Sequence, residues 1–263
     1  MSRGLLIRDF GLHQIRKIVR LLAIVMAVGG SGLLSTASAQ ESETIQWSIT
    51  PYIWAPTTSI DLTVRDNNLP TGEISANDLL DTLDAAFMVQ VEGGKGNWSA
   101  FGDLTYLKTS DATQRTLVTI DVDSKQVYLD AAVAYWPAGV GSPLSLFGGL
   151  RYSGFDETYG FTGNNGTPIT EIPSGDDYYD ALFGARYRFD FSQRWQLLTH
   201  GDFSFGDSEG TYLLRANFGY VVGKRQQNRI LLGYQYKSAE YRDGDLTKDF
   251  TMHGPMAGFD FRF

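Results

Sequence analysis

His200, Asp202 and Ser204 recur at alternate positions. A histidine, an acid and a hydroxyl are the groups of a nucleophilic triad, in which the base takes the hydroxyl proton and the acid orients the base. The spacing opposes that use. On a strand, residues two apart lie about 6.8 Å from each other and residues four apart about 13.6 Å, whereas triad contacts are about 3 Å. Neighbouring strands would have to supply the partners. His200 is therefore expected to be a hydrogen-bonded polar residue, and no catalytic residue is assigned. His253 precedes Pro255 and suits a strand end or bulge.

The acidic groups Asp176, Asp177 and Asp180, and Asp78, Asp81 and Asp84, offer hard oxygens of the kind calcium takes. Neither group has the spacing of a dedicated loop. Ser75-x-x-Asp78 before Leu79-Leu80 reads instead as the cap of a short helix. Its stripe of Leu79, Leu80 and Leu83 would pack against the barrel rim, or cover the outer mouth as a lid. No phosphate loop, zinc pattern or nucleotide fingerprint occurs, so neither metal nor cofactor is expected.

Period-two alternation dominates the chain. Tyr179, Ala181, Phe183, Ala185, Tyr187, Phe189 and Phe191 alternate with Tyr178, Asp180, Gly184, Arg186, Arg188 and Asp190, and Leu182 is the misfit. Similar segments begin at Ile45, Phe87, Leu104, Val127, Leu146, Trp195, Tyr212 and Ile230. Each presents one apolar and one polar face, because successive strand side chains point to opposite sides. Leu117–Val122 alternates in the other parity from Val127 onward, which suggests a bulge near Asp123–Lys125.

The connectors alternate too. Residues 93–97, 137–143, 192–194 and 224–228 are short, whereas 55–85 and 153–176 are long and polar. Segments of about ten residues, with short turns at one end and longer loops at the other, describe a transmembrane β-barrel. We count ten strands, with eight or twelve as alternatives. Ile60–Val64 would add an outer hairpin, and the short helix falls in the first outer loop. Trp47, Trp98, Trp136 and Trp195 fall at the short-turn end, where an interfacial belt belongs.

In such a barrel Glu92, Asp103, Asp130, Asp180, Asp190, Asp202 and Asp260 face the lumen, together with Arg151, Arg186, Arg188, Arg215, Lys237 and Arg262. Seven acids nearly balance six bases. Eight strands leave room only for side chains and about sixteen leave a channel, so ten lie near the filled end. Buried charges require partners. A salt-bridged plug and a narrow polar channel are the two uses this set permits.

The chain ends Phe259-Asp260-Phe261-Arg262-Phe263. This resembles the C-terminal signature of bacterial outer-membrane barrels, and the resemblance implies that Phe259, Phe261 and Phe263 are read by the barrel assembly machinery. Trp47-Ser-Ile-Thr-Pro-Tyr-Ile-Trp54, Asp78 to Asp84, Trp98 through Asp103 to Tyr106, His200-Gly-Asp202, Gly233-Tyr-Gln-Tyr236 and His253-Gly-Pro255 resemble a family of proteobacterial, porin-like outer-membrane barrel proteins whose activity is not established. The glycine-rich run that follows the Gly-Asp pair in that family is here Phe203 to Ser208. The resemblance implies a fold and a compartment, and brings no activity.

Basic residues between Arg3 and Arg20, an apolar stretch from Leu21 to Leu34 and Ala37-Ser38-Ala39 read as a cleaved signal peptide, residues 1–39. Residues 40–263 form the barrel. With no cysteine in the chain, disulfides, thiolate chemistry and a lipid anchor are excluded. The leader holds five of the 22 basic and one of the 30 acidic residues, which leaves a net charge of about −12. That balance argues against nucleic acid. The expected surroundings are outer-membrane lipid and lipopolysaccharide, with periplasmic chaperones and the assembly machinery during biogenesis, for a monomer. The reading is a non-enzymatic channel or structural and surface-interaction barrel. A lipid- or lipopolysaccharide-modifying enzyme using His200 or His253 is the alternative.

Overall fold

The computed structural model describes residues 44–263 apart from 66, 69–71, 115–117, 164–166, 224–226 and 244. The expected leader lies outside them. The elements in order are β1 (Gln46–Trp54), β2 (Thr57–Val64), β3 (Asn67–Asn68), β4 (Gly72–Ile74), α1 (Ala76–Thr82), β5 (Leu83–Lys95), β6 (Trp98–Gln114), β7 (Val118–Tyr135), β8 (Leu144–Gly163), β9 (Pro168–Asp190), β10 (Trp195–Gly206), β11 (Gly210–Val222), β12 (Asn228–Asp243) and β13 (Leu246–Arg262).

Ten of these strands, β1 and β5 through β13, pair antiparallel in chain order, and β13 returns to β1. The wall is closed along the β1–β13 and β1–β5 pairings, so the ten strands have no free edge at that level. The seam runs from Ser48 opposite Arg262 to Trp54 opposite Met256. Trp47 N donates to Phe263 O at 2.9 Å, and Phe263 N donates to Trp47 O at 3.1 Å. The last residue is therefore part of the closing ladder. Deleting Phe263 removes both bonds, and membrane-assembled protein should fall several-fold. Quantitative blotting of the heat-modifiable band checks this, and an unchanged amount would refute it.

The first strand breaks at Ala55–Pro56, where Ala55 N reaches Pro255 O at 3.1 Å. β2 then continues along β13, from Thr57 opposite His253 to Val64 opposite Leu246. β3 and β4 pair with the other side of β2. This is the outer hairpin expected at Ile60–Val64, added to ten barrel strands. Helix α1 follows it. Ser75 Oγ accepts from Asp78 N at 3.2 Å and the Asp78 carboxylate accepts from Ser75 N at 3.3 Å, a capping box that fixes where the helix starts. The expected leucine stripe is only partly realised, because Leu80 is exposed. Leu83 already belongs to β5 and packs inward on the core.

The two faces of the wall are opposite in character and exchange roles with height. At the level of the short turns the outer surface carries exposed Trp98, Phe183, Phe189, Leu214, Phe218, Leu232 and Phe261. A belt of this kind belongs against lipid. A tilted span needs about 9–11 residues, yet β8 and β9 run for 20 and 23. They rise well past the belt. The long polar loop expected over 153–176 is thus a hairpin of continuous strand on either side of residues 164–167.

Above the belt the apolar face turns inward. Phe155 packs on Tyr128, Tyr178, Tyr241 and Phe250, with ring centroids 5.4–6.2 Å apart. This inversion corrects the bulge expected near Asp123–Lys125. β7 keeps an unbroken register with both β6 and β8 through that stretch. The sequence phase changes because the apolar side becomes the inner side, where Val122 shares the face of Tyr128. Leu182, the misfit of the β9 pattern, is fully buried inside with Phe101, Ala132, Ala134 and Phe147. Such lumen packing gives an inward leucine a place.

Candidate functional site

The lumen is filled in layers. In the middle lies Arg151, with 1% of its side chain exposed. Asp130 stands opposite it on β7 and accepts from Arg151 Nε and Nη2, both at 2.7 Å. Asp202, two strands away on β10, places Oδ1 2.9 Å from Nη2. One guanidinium thus ties three strands, using the planar fork that makes arginine suited to paired carboxylates.

Asp202 also sits 2.7 Å from His200 Nε2. The strand spacing that opposed a His–Asp contact is overcome because both side chains lean together along one face. The third member does not join them. Ser204 Oγ donates to Asp180 at 3.1 Å and faces Arg151 Nη1 at 3.5 Å. His200 instead packs on the Phe147 ring, with centroids 5.0 Å apart. His253 lies on the outer wall, its Nδ1 2.7 Å from the Tyr234 hydroxyl.

Two further arginines bridge the lumen. Arg186 on β9 donates to both oxygens of Glu92 on β5, at 2.8 and 3.1 Å. Its guanidinium also lies 4.5 Å from the Phe101 ring centroid and 5.5 Å from those of Trp136 and Phe147. Arg215 on β11 reaches Asp103 on β6 at 3.3 Å, and Tyr52 on β1 donates to the same carboxylate at 2.6 Å. Lys237 is buried with its ammonium 3.6 Å from the Tyr128 ring centroid, a cation–π contact. Asp180 is buried with no ion-pair partner among the described residues. Ser204 Oγ, Ser208 Oγ and Ser208 N all donate to it.

Arg151 is neutralised by Asp130 and Asp202, while Asp180, its register partner in β9, accepts from serines. One placement differs from expectation. Trp136 leaves the interfacial belt and turns inward, where its Nε1 donates to Ser99 Oγ at 2.8 Å. Trp47, Trp98 and Trp195 remain exposed on the outer wall. His200 is the hydrogen-bonded polar residue expected, whereas Tyr52 and Arg229 belong to the network and were not assigned to it. Arg229 was legible, since it alternates with outward Ile230; Tyr52 shares the parity of inward Ser48 and Thr50.

At the short-turn end the lumen opens into a cavity of about 130 Å³, bordered by Gly141 and Pro143 of the β7–β8 turn. Arg188 is tied there, donating to Asp190 at 3.0 Å and to Gly141 O at 2.7 Å. Arg262 donates to Asp260 at 2.8 Å, and Arg229 reaches the same oxygen at 3.5 Å. At the far end the aromatic layer packs across the lumen beneath a polar rim. There Lys248 meets Asp176 at 3.5 Å. Tyr159 donates to Glu157 at 2.6 Å, and that bond pushes the tyrosine up to about 12.

No family model matches the sequence, and no curated protein matches it. Solved structures do. The outer membrane protease OmpT from Escherichia coli aligns over 87% of this chain and 100% of its own, with a TM-score of 0.55 and 9% identity. The fold is that of an outer-membrane β-barrel. Two other matches are the beta domain of the Bordetella autotransporter BrkA, covering 83% of this chain and 98% of its own at 14% identity and a TM-score of 0.38, and Ail of Yersinia pestis, covering 82% and 98% at 10% identity and a TM-score of 0.36. At 9% identity the likeness to OmpT is one of fold alone, and the barrel's chemistry has to be read from its own residues.

Proposed function

We propose that this barrel resides in the bacterial outer membrane as a monomeric, non-conducting and non-enzymatic scaffold that holds a tall extracellular β-wall for surface interactions. The observation that carries the reading is the doubly closed lumen. Arg151 with Asp130 and Asp202 fills one level, and the Phe155 aromatic layer fills the level above it. A conducting pore needs a continuous hydrated path past its charges. A scaffold benefits from rigid cross-braces, and more than half of β9 lies beyond the length a span requires.

What supports a role without catalysis is that Ser204 Oγ donates to Asp180 and not to His200, and that His253 meets the Tyr234 hydroxyl. Lipid and lipopolysaccharide surround the belt. The chain reaches the membrane behind a cleaved leader, and chaperones and the barrel assembly machinery, reading Phe259, Phe261 and Phe263, place it there. The deciding test is planar-bilayer recording of the purified, heat-modifiable protein. We expect no resolvable conductance steps at potentials that open a control porin. Regular steps would replace the scaffold by a narrow channel.

A further inference from the structure

We propose that the cavity at the short-turn end of the lumen binds a small soluble oxyanion of the phosphate class. On the outer-membrane reading this cavity faces the periplasm, but the binding chemistry does not depend on that orientation. Five guanidiniums line it: Arg186, Arg188, Arg215, Arg229 and Arg262. Three have a carboxylate of their own, namely Glu92, Asp190 and Asp103 in turn with Arg186, Arg188 and Arg215. Arg229 and Arg262 share Asp260.

The sharing is unequal. Arg262 takes the short contact at 2.8 Å and Arg229 is left at 3.5 Å. Only 7% of the Arg229 side chain is exposed. A guanidinium this buried, with one long contact among the described residues, is costly unless something neutralises it. Its hydrocarbon stem runs over Gly219, whose added Cβ would stand 3.8 Å from Arg229 Cδ.

A second polar group lacks a partner in the same cavity. Asn217 is 6% exposed and its Oδ1 accepts no hydrogen bond among the described residues. Amide oxygen and nitrogen exchange on a half-turn of the side chain, which presents two donors in place of the orphan acceptor. About 130 Å³ holds several waters, and therefore a compact tetrahedral anion. One surplus positive charge, a fork-shaped donor and an amide around a small cavity at the lumen's short-turn end are the elements of phosphate recognition.

The test is the thermal stability of the folded barrel in a phosphate-free, uncharged detergent, titrated with inorganic phosphate against chloride at equal ionic strength. Phosphate should raise the melting temperature saturably where chloride does not. In Arg229→Gln the half-maximal concentration should rise roughly tenfold, the loss expected for one charged hydrogen-bonding group. Arg262→Gln, at a more exposed position, is the second variant should Arg229→Gln fail to show a heat-modifiable band. Arg242→Gln serves as the control, since Arg242 is exposed and pairs with Glu209 and Glu240 on the other end of the barrel. Sulfate acting as phosphate does would support the oxyanion class. Equal effects of chloride and phosphate, or an unshifted titration in both lumen variants, would overturn the site.

Discussion

Replacing Arg151 with alanine should lower the unfolding free energy of the detergent-solubilised barrel by about 3–5 kcal/mol. Few single substitutions elsewhere in the chain should approach that size. Arg151 is 1% exposed, and Asp130 and Asp202 lie 2.7 and 2.9 Å from it. Its removal strands two carboxylates inside the wall, and stranding a buried charge costs more than the pair itself contributes. His200→Ala should cost less, because Asp202 keeps Arg151 as a partner. Lys248→Ala is the exposed comparison. Its side chain is 29% exposed against Asp176 at 39%, and such pairs contribute about 0–1 kcal/mol. Denaturant midpoints followed by tryptophan fluorescence would rank the three. An Arg151→Ala midpoint no lower than that of Lys248→Ala would remove the central brace from the account.

The wall was legible in the sequence because a lipid-spanning strand has little freedom. Its outer face must be apolar, its inner face polar, and its side chains alternate. Phe183, Ala185 and Tyr187 against Gly184, Arg186 and Arg188 could hardly be read otherwise. The same rule misled above the belt. There the outside is water, so Phe155, Tyr241 and Phe250 turn inward. A change of solvent then looked like the slip of a bulge in β7 and like a polar loop over 153–176. Strand lengths of 20 and 23 residues were hidden for the same reason.

The membership of the lumen was largely legible, but its pairing was not. Alternation assigns Arg186 and Glu92 inward, and nothing in either segment says that they meet. They are 94 residues apart and face each other only because ten strands close into one circle. Trp136 shows the converse. Its place at a strand end suggested the interface, and the need of its N–H for Ser99, together with the flank of Arg186, drew it inside. His200 and Asp202 show that Cα spacing bounds backbone positions and not the reach of side chains that lean together.

Arg186→Ala should be the next most damaging change, by about 3 kcal/mol, the lower end of the range for a buried pair. The Arg186 and Glu92 side chains are 15% and 14% exposed, so water relieves part of the cost that Arg151 would incur in full. Two effects combine. Glu92 loses both of its contacts to the guanidinium and keeps the Ser99 hydroxyl at 2.6 Å. The rings of Phe101, Trp136 and Phe147 lose the cation they surround, leaving a void where the long side chain had packed. These contributions separate in a double-mutant cycle. Glu92→Gln added to Arg186→Met removes the stranded charge and refills the volume, and should recover more than half of the loss. Bilayer recordings of Arg186→Ala should stay silent, because the Arg151 layer and the aromatic layer still stand above it. A silent melting curve for Arg186→Ala would mean that the lumen is hydrated at this level and that the cross-lumen bridge carries no load. A leak without loss of stability would mean that Arg186, and not the layers above, is what closes the barrel.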